Sequence, residues 1–146
     1  MNMLEKSCGT ILYTIENGTV FYLLILGKRH GIYGFPKGHM EDGETEEETA
    51  FRETWEETSV KPDIKKGFRK QIQYRIKRGK IKTVVYFLAE YTGQTPCRNG
   101  DFEDFAYPIL SFEKAYEVLG ENIREVLKEA DAYIRANLIP KKEDNE

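Results

Sequence analysis

The sequence predicts a single α/β domain, and three observations lead there. Its 146 residues suit one ordinary domain. A composition of 40% hydrophobic and 12% aromatic residues supports a real core rather than disorder. Strand-like segments lie on both sides of a strongly helical one, and more helix follows toward the C-terminus. No apolar run approaches the roughly 20 residues that span a bilayer, so no membrane association is expected. Met1 to Lys6 lacks the basic-then-apolar order of a secretion signal. Cys8 and Cys97 form no metal or redox spacing, which fits a cytoplasmic protein with reduced thiols.

The chain opens as a β-hairpin. Ser7 to Ile15 and Thr19 to Leu26 are rich in β-branched and aromatic residues, and Asn17-Gly18 supplies the positive φ values of a tight turn. Gly27 to Gly43 holds five glycines and one proline in seventeen positions and reads as a long, functional loop. A helix follows, because Thr45 with Glu48 forms a capping box and acids fill the first turn. It ends near Ser59, ahead of Lys61-Pro62. Phe68 to Arg78 and Lys80 to Tyr91 read as a second hairpin around Gly79. Val84 to Ala89, apolar on both faces, is its central strand. A polar loop over Thr92 to Asp104 leads to a short strand at Ala106 to Leu110 and a helix capped by Ser111. Ile123, Val126, Leu127, Ala130 and Ile134 then mark the core stripe of a last helix. The expected domain covers residues 1–137, with a charged, flexible tail over 138–146.

The net charge of −3 conceals two opposed blocks. Residues 41–57 carry nine acids against one base, and residues 61–82 carry ten bases against one acid. Alone, each reads as a solvated face. The acidic helix says more. At about 100° per residue, Ala50, Phe51, Thr54, Trp55 and Thr58 share one arc, which we read as core-facing, with Trp55 as packing. Glu53, Glu56 and Glu57 share another. Such carboxylates repel by a few tenths of a kcal/mol per pair. A hard cation, Mg²⁺ or Mn²⁺, converts that repulsion into attraction and can activate a bound water. Arg52, four residues before Glu56, is placed to pair with a glutamate and hold its rotamer.

From Gly38, five residues lead to Glu44 and seven more to Arg52-Glu53, followed by Thr54, Trp55, Glu56-Glu57, Thr58, Ser59 and Val60. This pattern resembles the Nudix box at seven of its nine defined positions. Thr54 stands for an aliphatic residue. Ser59 stands for the terminal glycine, so it needs a left-handed backbone there. The likeness extends to Gly34-Phe35-Pro36-Lys37-Gly38-His39, to Lys82 through Glu90, and to Phe105-Ala106-Tyr107 with Ser111 through Ala115. These segments are similar to those of the subgroup that hydrolyses diadenosine tetraphosphate asymmetrically. One departure is Ile32, where animal members often carry histidine; His30 lies two residues away.

The resemblance implies an α/β/α sandwich around a mixed sheet, and a metal-dependent pyrophosphohydrolase yielding ATP and AMP. It implies Glu53, Glu56 and Glu57 as metal ligands, with the Gly38 carbonyl, and Arg52 as their support. The general base would be Glu57 or a late-loop acid, Glu103, with Asp104 as competitor. Lys37 and Lys82 would face phosphates, and Tyr74 and Tyr107 would stack on a base. Without the resemblance, Lys82 is equally an outward strand lysine, and the two tyrosines are half-buried strand residues. Expected partners are nucleoside or dinucleoside polyphosphates, with an RNA 5′ end or a damaged nucleoside triphosphate as alternative substrates. A catalytically silent nucleotide- or RNA-binding domain is the rival of another kind. Either a monomer or a homodimer is compatible with this reading.

Overall fold

A computed structural model describes residues 4–97 and 104–140. Strand β1 (Leu4–Glu16) turns at Asn17-Gly18 into β2 (Thr19–Leu23), with φ of 51° and 79° at the turn, both positive as the hairpin requires. The chain then leaves the main sheet. β3 (Ile25–Gly27) pairs with β4 (Ile32–Gly34), and β5 (Lys37–His39) returns to pair with the first part of β1. The expected long loop is thus corrected to two short strands with turns between them. Three-residue strands are too short to show alternation in a sequence.

Helix α1 (Glu46–Thr58) has both halves of the expected capping box, and Ser59 closes it at φ 59°. β6 (Asp63–Arg75) and β7 (Ile81–Glu90) form the second hairpin. β6 starts earlier than expected because it runs through an irregularity between Lys65 and Arg69. The last expected strand is two: β8 (Phe105–Ala106) pairs with β3, and β9 (Ile109–Ser111) pairs with β2. Pro108 lies between them and lacks the N–H that a ladder needs, although its carbonyl accepts from Leu24 at 2.9 Å. Helices α2 (Phe112–Val118) and α3 (Glu121–Asn137) complete the order.

The main sheet runs β6-β7-β1-β2-β9, with β5 beside β1. β1 and β7 are parallel and the other pairs antiparallel, so the sheet is mixed. Side chains alternate across β7, and its residues Thr83 to Ala89 are all buried. Val84, Tyr86 and Leu88 join Ile11, Tyr13 and Tyr22 under α3, which supplies Val126, Leu127, Ala130 and Ile134. Cys8, Val85 and Phe87 meet Ala50 of α1 on the opposite face. This is the expected α/β/α sandwich. Tyr22 donates to Asp131 at 2.6 Å, and Arg135 holds the other carboxylate oxygen at 2.7 Å, tying α3 to the sheet. Leu138 and Ile139 still pack on this core, while residues 141–146 of the expected tail lie outside the described residues.

Candidate active site

The site begins with an unusual helix–sheet contact. The buried residues of α1 are Thr49, Ala50, Thr54 and Thr58, and Thr54 shares a 2.8 Å hydroxyl hydrogen bond with Thr10 of β1. Phe51 and Trp55 are 40% and 44% exposed, which corrects the expectation that both face the core. The Lys61 ammonium sits 5.3 Å from the Trp55 ring centroid instead, a surface cation–π contact worth about 0.5–1 kcal/mol. Small residues against the sheet let α1 lie close to it, which draws the half-buried Glu53 and Glu57 against the β5 segment.

That segment is shaped to receive them. Gly9 admits the Pro36 carbonyl where any side chain would collide with it, and Thr10 donates its N–H to that carbonyl at 3.1 Å. A Cβ at Gly38 would overlap the Glu53 carboxylate, so glycine is needed here for closeness rather than for a special φ. Glu57 accepts the Lys37 backbone N–H at 3.1 Å. Arg52 organises the rest. It donates to both oxygens of Glu44 at 2.6 and 3.0 Å, to Glu53 at 2.9 Å, to Glu56 at 3.1 Å and to the His39 carbonyl at 3.0 Å. This network raises the Arg52 pKa and holds the Glu44 carboxyl at about 2.

Of these carboxylates, Glu57 reaches a cleft of about 750 Å³. Lys37 and Glu57 line it together with Tyr33, Tyr74, Tyr86 and Phe105. Burial, then the neighbouring Lys82 charge, lowers the Lys37 pKa, with Glu57 opposing. Two like charges held this close favour an anion between them. Lys82 sits directly across the ladder from Tyr74, so both project from one face of the hairpin. Sequence reasoning missed Tyr86 and Phe105. Tyr86 lies four residues after Lys82 in the same strand and therefore on the same face, which was an available signal. Its hydroxyl is buried and has no hydrogen-bond partner among the described residues.

Other expected residues fall elsewhere. Tyr107 is not among the residues lining the cleft; it packs on the cluster of Leu12, Leu23 and Val60, while Phe105 reaches the cleft wall. The break at Pro108 turns the chain toward β2 and carries Tyr107 away. Asp104 and His30 line a smaller neighbouring cavity. Glu103 lies outside the described residues.

Among the described residues no three His, Cys, Asp or Glu side chains are gathered closely enough to hold a metal ion as they stand. The donor set nonetheless fits a hard divalent cation. Three carboxylates crowd one helix face, and the Arg52 hydrogen bonds occupy one oxygen of Glu53 and one of Glu56. No described helix is long and apolar enough to cross a membrane.

Comparison with known proteins agrees with this geometry. A family model described as the NUDIX domain matches residues 7–132. The asymmetrical bis(5′-nucleosyl)-tetraphosphatase of Rattus norvegicus is 32% identical over 90% of this chain and 97% of its own length. That of Mus musculus is 35% identical, covering 80% and 85% respectively. Among solved structures, a binary complex of a C. elegans Ap4A hydrolase superposes with a TM-score of 0.79 at 24% identity. That match covers 90% of this chain and 98% of the worm protein.

Proposed function

The chain belongs to the Nudix hydrolase family, and from that premise we propose that it is a divalent-metal-dependent pyrophosphohydrolase of nucleoside polyphosphates. The substrate we favour is diadenosine tetraphosphate, split asymmetrically into ATP and AMP, as the names of its rodent relatives suggest. One observation carries the reading: a single cleft joins a carboxylate, Glu57, the half-buried Lys37 with Lys82 as its charged neighbour, and an aromatic wall.

Glu53, Glu56 and Glu57, with the Gly38 carbonyl, would hold Mg²⁺ or Mn²⁺. The bound ion would screen the polyphosphate charge and acidify a water. Glu57, at the cleft edge, takes the proton from the attacking water. Lys37 and Lys82 bind phosphate oxygens, and their mutual repulsion is relieved as negative charge accumulates between them. Tyr74 and Phe105 present ring faces to a base. The Tyr86 hydroxyl, unpaired among the described residues, donates to a substrate oxygen. Arg52 touches no substrate; it fixes the rotamers of Glu53 and Glu56.

RNA is the second reading, favoured by the tip of the second hairpin. Arg75, Lys77, Arg78 and Lys80 form no ion pair among the described residues, in contrast to Lys65, Arg69 and Lys70. Phosphates of a longer chain would find charge there.

The test is Glu57→Gln, assayed against diadenosine tetraphosphate with Mg²⁺ or Mn²⁺. Turnover should fall by about 10²-fold or more, because a positioned base contributes that much, and the melting curve should stay unchanged. Retained turnover would remove Glu57 from its role. Absence of any product from the unaltered protein would remove the enzyme.

A further inference from the structure

The ladders of the main sheet fix which side chains share the face of the sheet that bears the cleft. Residues directly opposite one another lie on the same face, and the face alternates along each strand. Glu5 of β1 stands opposite Lys82 of β7, and Lys82 stands opposite Tyr74 of β6. Tyr74 lines the cleft, so the whole row from Glu5 to Tyr74 lies on its side of the sheet. Lys6, the next residue of β1, turns the other way and pairs with Glu46 of α1. One row inward stand Ser7 and Val84, both buried. Glu5 and Lys82 are half-buried, and among the described residues no ion pair claims either. A carboxylate therefore neighbours the lysine whose charge acts on Lys37, on the side away from Tyr74. The reaction at Glu57 makes no use of it, and its charge opposes a polyphosphate lying across Lys82.

We propose that Glu5 is a specificity-determining residue that turns away polyphosphates with a free terminal phosphate and spares those capped at both ends. The inference rests on the polyphosphate hydrolase reading above. A chain that starts from a base against Tyr74 and crosses Lys82 meets Glu5 next. An internal phosphate carries one negative charge there, whereas a terminal phosphate carries close to two at neutral pH. Lys82 offsets the first charge, and the second meets Glu5 uncompensated. The selection works by charge alone and needs no contact with a second nucleoside.

The experiment measures kcat and KM of the unaltered protein, Glu5→Gln and Glu5→Lys on two substrates, diadenosine tetraphosphate and adenosine 5′-tetraphosphate. Glutamine keeps the size of the side chain and removes only its charge, so the melting curve should hold. In Glu5→Gln, kcat/KM for the tetraphosphate should rise roughly fivefold relative to that for the dinucleotide, the effect of one unit charge in a wet site. The gain should lie in KM, and Glu5→Lys should extend it. Raising the salt from about 0.05 M to about 0.5 M should shrink the gain, because screening weakens a charge effect and leaves a steric one untouched. A ratio that stays level or falls in Glu5→Gln, a gain that salt does not reduce, or cleavage of the tetraphosphate alone by the unaltered protein would overturn the role of Glu5 while leaving a polyphosphate hydrolase standing. Cleavage of neither substrate by the unaltered protein would overturn the proposed function and this role with it.

Discussion

Gly38 and Arg52 show how closely single residues constrain the carboxylates. Glu53 lies where a Cβ on residue 38 would be, and Arg52 holds Glu53 from its other side. The atoms that would collide are the far end of a flexible side chain, so Gly38→Ala should cost little stability. Glu53 must swing away from the site instead. We expect Mn²⁺ affinity to fall by roughly tenfold or more, as when a ligand loses its orientation, with hardly any change in Tm. Titration of Mn²⁺ followed by electron paramagnetic resonance, alongside a thermal melt, separates the two effects. A large drop in Tm with normal metal affinity would contradict the placement. Lys37 and Lys82 follow the same logic from the cationic side: each is an ordinary lysine in isolation, and under the proposed function their adjacency would serve a phosphate.

Helix α1 carries most of this chemistry, and its ends were readable from the sequence because capping is local. Thr45 and Glu48 satisfy each other's backbone N–H groups, and Ser59 adopts the left-handed backbone that the missing glycine implied. A serine there costs about 1–2 kcal/mol against glycine, while glycine costs about 0.4–1 kcal/mol more chain entropy. The balance favours Ser59→Gly by about 0.5–1 kcal/mol, a rise in Tm of roughly 2–3 °C. Differential scanning calorimetry measures it, and an unchanged or lowered Tm would show that the serine conformation is not strained. The faces of α1 were harder to read. An arc built from hydrophobicity placed Phe51 and Trp55 inward, yet the helix meets the sheet through Ala50 and threonines so that Glu53 and Glu57 can approach β5. A site that half-buries carboxylates rotates its helix away from the pattern a core alone would select. Phe105 and Tyr107 illustrate the other limit. Which of the two reaches the cleft depends on the sheet change at Pro108, a tertiary event. The hairpins, by contrast, were announced by Asn17-Gly18 and Gly79, residues whose conformational freedom is their own.

At the scale of the whole molecule, the acidic and basic blocks of the sequence meet at Glu46 and Arg69. Arg69 of β6 donates two hydrogen bonds of 2.8 Å to Glu46 at the start of α1, and Lys6 of β1 pairs with the same carboxylate. Arg69 first, and Lys6 after it, bring the Glu46 carboxyl from 4.5 down to about 2. A carboxyl depressed on folding stabilises the native state above its ordinary pKa, and that contribution disappears as pH falls toward the folded value. Stability should therefore decline between about pH 4.5 and pH 2. Arg69→Gln should show a shallower decline, read as urea midpoints across that window; an identical slope would mean the pair contributes nothing. The parallel pairing of β1 with β7 has a consequence of another kind. Leu4 opposes Ile81, so β1 finds this parallel neighbour only after the glutamate helix and the whole β6 arm exist. Pairing of such high contact order is late and slow to form. On the ribosome, the β7-facing edge of β1 stays open until β7 has emerged. Lys82 and Tyr86 therefore come beside Lys37 and Glu57 only when this last central strand docks.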